Sequence, residues 1–100
     1  MTRPIHLARL DKTRPVVVLT RAEVRPHLGT VTVAPITTRV RGLSTEVPVG
    51  KANGLEGPSV VSCDNIGTIP SEQLGRQIGA LLDHDEAALT AAITAAFDLH

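Results

Sequence analysis

Thr30-Val31-Thr32-Val33-Ala34-Pro35-Ile36-Thr37-Thr38-Arg39-Val40-Arg41 decides how the rest of the chain is read. Val31 and Val33 alternate with Thr30 and Thr32, the two-residue period of a strand with one face buried. Pro35 then interrupts the run. Proline offers no N–H to a ladder, so it belongs at an edge or a bulge. A bulge adds one residue and inverts the side-chain phase. Ile36 is then expected inward with the valines, and Thr37 outward with Thr30 and Thr32. That sets a hydroxyl on a rigid sheet just ahead of Arg39 and Arg41. Hydroxyl and guanidinium groups together suit a phosphate.

Upstream, Ile5 to Leu10 reads as a first strand with Ile5, Leu7 and the stem of Arg9 on one face. Asp11-Lys12-Thr13 is a tight connection. Val16-Val17-Val18-Leu19 is an unbroken apolar run, the mark of a strand buried on both faces and central in its sheet. Pro15 holds the residue before it to extended angles, so Arg14 leaves the head of a core strand in few directions. An arginine at a strand edge is commonly a plain surface residue. Pro15 and the neighbouring Lys12 favour a positioned charge instead. Thr20 to Gly29 is a polar loop.

Downstream, Gly42 ends the arginine segment, and Ser44 to Val49 alternates as a strand with Val47 and Val49 inward. Gly50 to Pro58 carries glycines and a proline and reads as a mobile loop. Ser59 to Cys63 makes a fifth strand, Asp64 to Pro70 a sharp turn, Ser71-Glu72-Gln73 one helical turn, and Arg76 to Leu82 a last strand. Asp83 and Glu86 are spaced as a capping box. Behind them Leu89, Ile93, Ala96 and Phe97 recur at helical spacing, with Ala91, Ala92 and Ala95 widening the apolar face. The expected fold class is α+β, a small barrel-like sheet with one C-terminal helix packed on it, as a single domain over residues 1–100.

Composition bounds the function. An apolar share of 42% is ordinary for a globular domain. No apolar run approaches the about 20 residues that span a bilayer, and no signal-peptide core opens the chain. A single cysteine, Cys63, excludes an internal disulfide framework and fits a cytoplasmic protein. Net charge is zero, yet residues 1–51 carry a net +6 and residues 52–100 a net −6. Such asymmetry suggests a half that faces a polyanion, unless folding mixes the charges.

His6, His27, His84 and His100 are scattered without ligand spacing, so neither a metal nor another cofactor is expected. No Gly-x-x-x-x-Gly-Lys loop is present. Cys63 reads as a small buried strand residue with no partner for nucleophilic chemistry. A strand threonine such as Thr37 commonly only faces solvent. The Pro35 break and the adjacent Thr38-Arg39 argue for more.

Four blocks, in order, carry a specific likeness: Thr13 to Thr20 (TRPVVVLT), Val33 to Thr38 (VAPITT), Leu43 to Pro48 (LSTEVP) and Ser59 to Ile69 (SVVSCDNIGTI). Together they resemble the MazF/PemK family of toxin endoribonucleases, most of all its mycobacterial MazF-type branch, over nearly the whole chain. The resemblance implies an SH3-like barrel of the CcdB/MazF/PemK type, acting as a homodimer. It implies sequence-selective, metal-independent cleavage of single-stranded RNA, and a cognate antitoxin whose acidic, partly disordered segment covers the site. The family's catalytic arginine falls on Arg14 and its catalytic threonine or serine on Thr37. RNA contacts are expected from Lys12, Thr38, Arg39, Arg41, Ser44 and Thr45. The chain departs from the family in opening with Arg3-Pro4-Ile5 and in shortening the loop between its first two strands, which is expected to leave the site more open. A CcdB-like toxin that binds a protein and lacks nuclease activity is the competing expectation on the same fold. Phe97, the sole aromatic, is expected in the helix core, so base reading must do without an aromatic platform.

Overall fold

The computed structural model describes residues 2–99. Its elements are β1 (Pro4–Arg9), β2 (Thr13–Val18), β3 (Thr30–Thr37), β4 (Glu46–Val49), β5 (Ser59–Ser62), β6 (Gly67–Pro70), β7 (Leu74–Ala80) and α1 (Asp83–Ala96). The antiparallel sheet runs β4-β5-β3-β2-β1-β7, and β6 adds to β3 beside that path. The helix has 14 residues and is not long and apolar enough to cross a membrane.

β2 is central, as its apolar run implies, with β1 on one side and β3 on the other. Val16, Val17 and Val18 are all buried. Val17 enters a large core with Ile5, Ala34, Ile36, Val47, Val49, Val61, Leu81 and Leu89. Val16 and Val18 enter a smaller one with Ala8, Val31 and Val33 on the opposite face. Val47 and Val49 come from the edge strand β4, whereas Ile5 comes from β1, four places along the order. They share one core because the sheet curls on itself. Among the described residues no ladder joins β4 to β7, so the barrel is partly open.

That curl corrects the expectation at Pro35. The β2–β3 register is unbroken through Val18↔Val33, Val17↔Ala34 and Val16↔Pro35, with no bulge. Val31 and Val33 pack into the small core and Ala34 and Ile36 into the large one, so the side-chain phase never inverts. Thr37 keeps the parity of Val31 and Val33 instead of joining Thr30 and Thr32. A strand covered on both faces has no single inward side, and alternation read from one face misleads. Pro35 marks a change of partner. β3 pairs β6 from Thr30 to Val33 and β5 at Ile36 and Thr37, and the proline falls in the gap between those ladders, where a missing N–H is tolerated.

Other expectations also change. The buried residues of β1 are Ile5 and Ala8, because its register against β7 shifts twice around His6. β4 begins at Glu46, and Ser44 and Thr45 form the turn before it. The segment 67–70, expected as part of a turn, is a strand whose partner β3 lies far away in sequence. Gly50 to Pro58 is a docked segment. Asn53 is buried, its Nδ2 donates to Asp85 Oδ2 (2.9 Å) and the Ala80 carbonyl (3.2 Å), and its Oδ1 accepts the Gly50 N–H (3.0 Å). Gly54 has φ 91°, and its backbone lies so close to Gly79 that a Cβ on either would overlap the other strand of chain.

The helix cap sits one residue earlier than its spacing suggested. Leu82 is the N-cap, and its N–H donates to Asp85 Oδ2 at 2.8 Å. Glu86 is thereby free to pair with Arg3, Nε to Oε1 at 3.4 Å. Leu89 and Ala92 are buried, while Ala91 and Ala95 are exposed. Phe97 is 55% exposed, not in the core, because the helix ends at Ala96 and Phe97 caps it.

Candidate active site

The last rung between β2 and β3 is Val16↔Pro35. Two residues beyond it on β2 stands Arg14, and two residues beyond it on β3 stands Thr37. Side chains two apart share a face, so both emerge where the small core ends and the strands part. A cleft of about 430 Å³ opens there. Arg14, Thr37, Arg39 and Arg41 all line it, together with Asp11, Glu46 and Asp64.

Arg14 is held by a neighbour that also lines the cleft. Its Nε donates to Asp11 Oδ1 (2.9 Å) and its Nη2 to Asp11 Oδ2 (3.0 Å), a two-pronged pair across the short β1–β2 connection. The hydrogen bond from Arg14 keeps the Asp11 carboxyl down at about 2, and the same bond raises the Arg14 guanidinium above its usual range. A guanidinium has five N–H donors. Two are committed, and the remaining edge is fixed in direction and open to a ligand. Thr37 Oγ1 accepts the Arg39 N–H at 3.1 Å, which leaves its own O–H to donate.

Glu46 organises the loop that carries the other two arginines. Its Oε1 accepts N–H groups from Arg41 (3.1 Å), Gly42 (2.8 Å) and Leu43 (3.1 Å). Gly42, at φ 75°, makes the backbone turn that aims three successive amides at one carboxylate. The opposite wall is residues 62–65, where Thr45 Oγ1 donates to Asp64 Oδ2 and Asn65 Nδ2 donates to Ser62 Oγ. Every carboxylate of the cleft thus already has a partner. Neither Arg39 nor Arg41 is in an ion pair among the described residues.

The other expected site residues are dispersed. Thr45 borders the cleft through Asp64, and Ser44 is exposed in the turn beside it. Lys12 is exposed in the β1–β2 connection but does not line the cleft. Thr38 lines a separate cavity with Pro15 and Arg76. His6, His27 and His84 lie outside the cleft, and His100 lies outside the described residues. Sequence reasoning passed over Asp11, Glu46 and Asp64. Only Asp11 carried a signal, its spacing of three from Arg14 across a tight turn.

This geometry can grip a phosphodiester with a fixed guanidinium fork and a hydroxyl. The sequence pattern of the PemK-like, MazF-like toxins of type II toxin–antitoxin systems matches residues 5–97. The chain belongs to the PemK/MazF toxin family. It is 69% identical to the Endoribonuclease MazF3 of Mycobacterium tuberculosis over 97% of this chain and 94% of that protein. It is 35% identical to the probable endoribonuclease MazF5 of the same species, over 85% and 79%. The solved structure of the M. tuberculosis toxin MazF-mt6 superposes with a TM-score of 0.96 at 68% identity, covering 98% and 99%. A MazE–MazF complex from Deinococcus radiodurans, at 19% identity and a TM-score of 0.81 over 97% and 93%, shares the MazF fold. The α+β barrel with one terminal helix is therefore the fold of MazF toxins.

Proposed function

We infer that this PemK/MazF toxin is an endoribonuclease that cuts single-stranded RNA at the Arg14–Thr37 cleft, without a metal. The observation that carries this reading is the matched placement of those two residues past the last β2–β3 rung. Relatives named endoribonuclease, at up to 69% identity, support the same activity. A CcdB-like, protein-directed toxin has no use for an arginine fork and a hydroxyl facing one space.

RNA supplies its own nucleophile, the 2′-OH beside the scissile phosphate. The protein must align it, stabilise charge on the phosphorane and manage two protons. Arg14 forks onto non-bridging oxygens and stays protonated. Asp11 orients that fork. Thr37 donates to the same phosphate, and Arg39 and Arg41 hold neighbouring phosphates. The products are a 2′,3′-cyclic phosphate and a 5′-hydroxyl. Selection of the cut sequence falls to the turn at Ser44 and Thr45 and to backbone groups.

The working form is a cytoplasmic homodimer whose cleavage of RNA, messenger, ribosomal or transfer, blocks translation and growth. An antitoxin restrains it with an acidic segment, disordered until it lies over the arginines. Solved neighbours include an endoribonuclease in complex with its cognate antitoxin and MazE–MazF complexes, which supports that partnership. The test is incubation with total RNA beside Arg14→Ala, mapping the ends formed. Cuts by wild type alone, ending in cyclic phosphate, are expected. Uncut RNA, or cuts equal in both proteins, overturn the reading.

A further inference from the structure

A second groove, of about 370 Å³, opens at the other end of β2 from the cleft. Arg3, Arg21 and Arg25 line it against one acid, Glu23, with Thr20 and Gln77 between them. Arg3 is anchored, to Glu86 and by Nη1 to the Leu19 carbonyl at 3.2 Å. The guanidiniums of Arg21 and Arg25 have no ion pair among the described residues, although Arg25 is half-buried. The cleft itself is balanced, three arginines against three carboxylates. With Glu86 counted, the groove sets three arginines against two acids, and neither Arg21 nor Arg25 has an ion-pair partner among the described residues.

Placement ties the groove to the cleft. Arg14, Val16 and Val18 share one face of β2; Arg14 lines the cleft and Val18 lines the groove. From Arg14 to Thr20 the chain advances by six residues, roughly 20 Å at ~3.3 Å each. A strand held at Arg14 reaches the groove only several nucleotides from the cut.

We propose that the Arg21–Arg25 groove is a remote phosphate site for the RNA being cut, so that the preferred substrates extend well beyond the cleaved bond. This rests on the nuclease reading above and adds the substrate's length and one further contact. Arginines beside hydroxyl and amide groups suit phosphates, and a balanced cleft gains polyanion affinity from uncompensated charge elsewhere.

The experiment compares kcat/KM for two RNAs sharing one mapped cut, one ending just beyond it and one extending well past it. Wild type is expected to favour the long RNA by roughly tenfold, and Arg21→Gln/Arg25→Gln to lose that preference with an unchanged melting temperature. The variant's salt slope for the long RNA is expected to fall by about 1.4, at ~0.7 for each single-strand phosphate contact. A length preference kept by the variant, or lost equally with activity on the short RNA, overturns the proposal while leaving the nuclease intact. A groove for an acidic peptide gives an unchanged preference and weaker polyglutamate binding in the variant, which also overturns it. If wild type cuts neither RNA, the nuclease reading itself fails.

Discussion

Asp11 grips Arg14 with both carboxylate oxygens, at 2.9 and 3.0 Å, from the middle of a connection only three residues long. Both prongs approach the Nε/Nη2 edge, so the guanidinium is oriented before any phosphate arrives. Removing the grip should misdirect the fork without unfolding the barrel. Asp11→Asn is expected to lower kcat/KM by roughly tenfold, the cost of losing pre-set orientation, with little change in melting temperature. Steady-state kinetics beside a thermal melt distinguish this from general damage.

The same pair sets a pH window. The Asp11 carboxyl is lowered from 3.8 to about 2, chiefly by its hydrogen bond from Arg14. A depressed acid stabilises the folded state above its unfolded value and loses that contribution as pH falls through the folded one. The grip is therefore complete above about pH 4 and fades towards pH 2. An NMR titration of Asp11 should place its midpoint well below the ordinary aspartate value. A midpoint near 3.8 would show that the pair does not persist in solution.

Thr37 contributes through its hydroxyl. Thr37→Ser should keep most activity, whereas Thr37→Val should lose about 10²–10³ in kcat, the usual cost of one missing donor to developing charge. Equal activity in the two variants removes Thr37 from the chemistry.

Glu46 ties down the loop that carries Arg39 and Arg41. Glu46→Ala leaves three backbone N–H groups without their carboxylate. A lowering of stability by about 1.5–3 kcal/mol is expected from hydrogen bonds to a charged group, together with weaker RNA binding. Denaturant midpoints and a binding titration check both parts.

Cys63 is the chain's one thiol, and it is buried. Burial, helped by the charge of Asp64, pushes it up to about 11. Only the thiolate reacts with alkylating reagents, so Cys63 should resist them at pH 8 until the protein unfolds. Rapid labelling of the native protein would show that the 62–65 wall opens.

Much of this was legible in the sequence. The apolar run Val16 to Leu19 marked the central strand, and Pro15 marked Arg14 as a constrained charge. Thr37 was expected beside the arginines through a bulge that does not exist; it lines the cleft because β3 outruns the small core. Asp11 and Glu46 were missed because their partners are defined only once the chain has turned, an arginine across a connection in one case and three amides in a loop in the other. Strand β6 was missed because four residues ending in proline carry almost no period, and their pairing with β3 is long-range. Phe97 was misplaced because periodicity does not say where a helix stops.

A double-mutant cycle tests most directly whether Arg14 and Thr37 hold one phosphate together. It compares kcat/KM on RNA for wild type, Arg14→Ala, Thr37→Val and the double variant. Groups acting on one transition-state charge are strongly non-additive. The double variant is therefore expected to be scarcely slower than the worse single one. Losses that multiply would mean that the two side chains act independently, and would contradict the shared site.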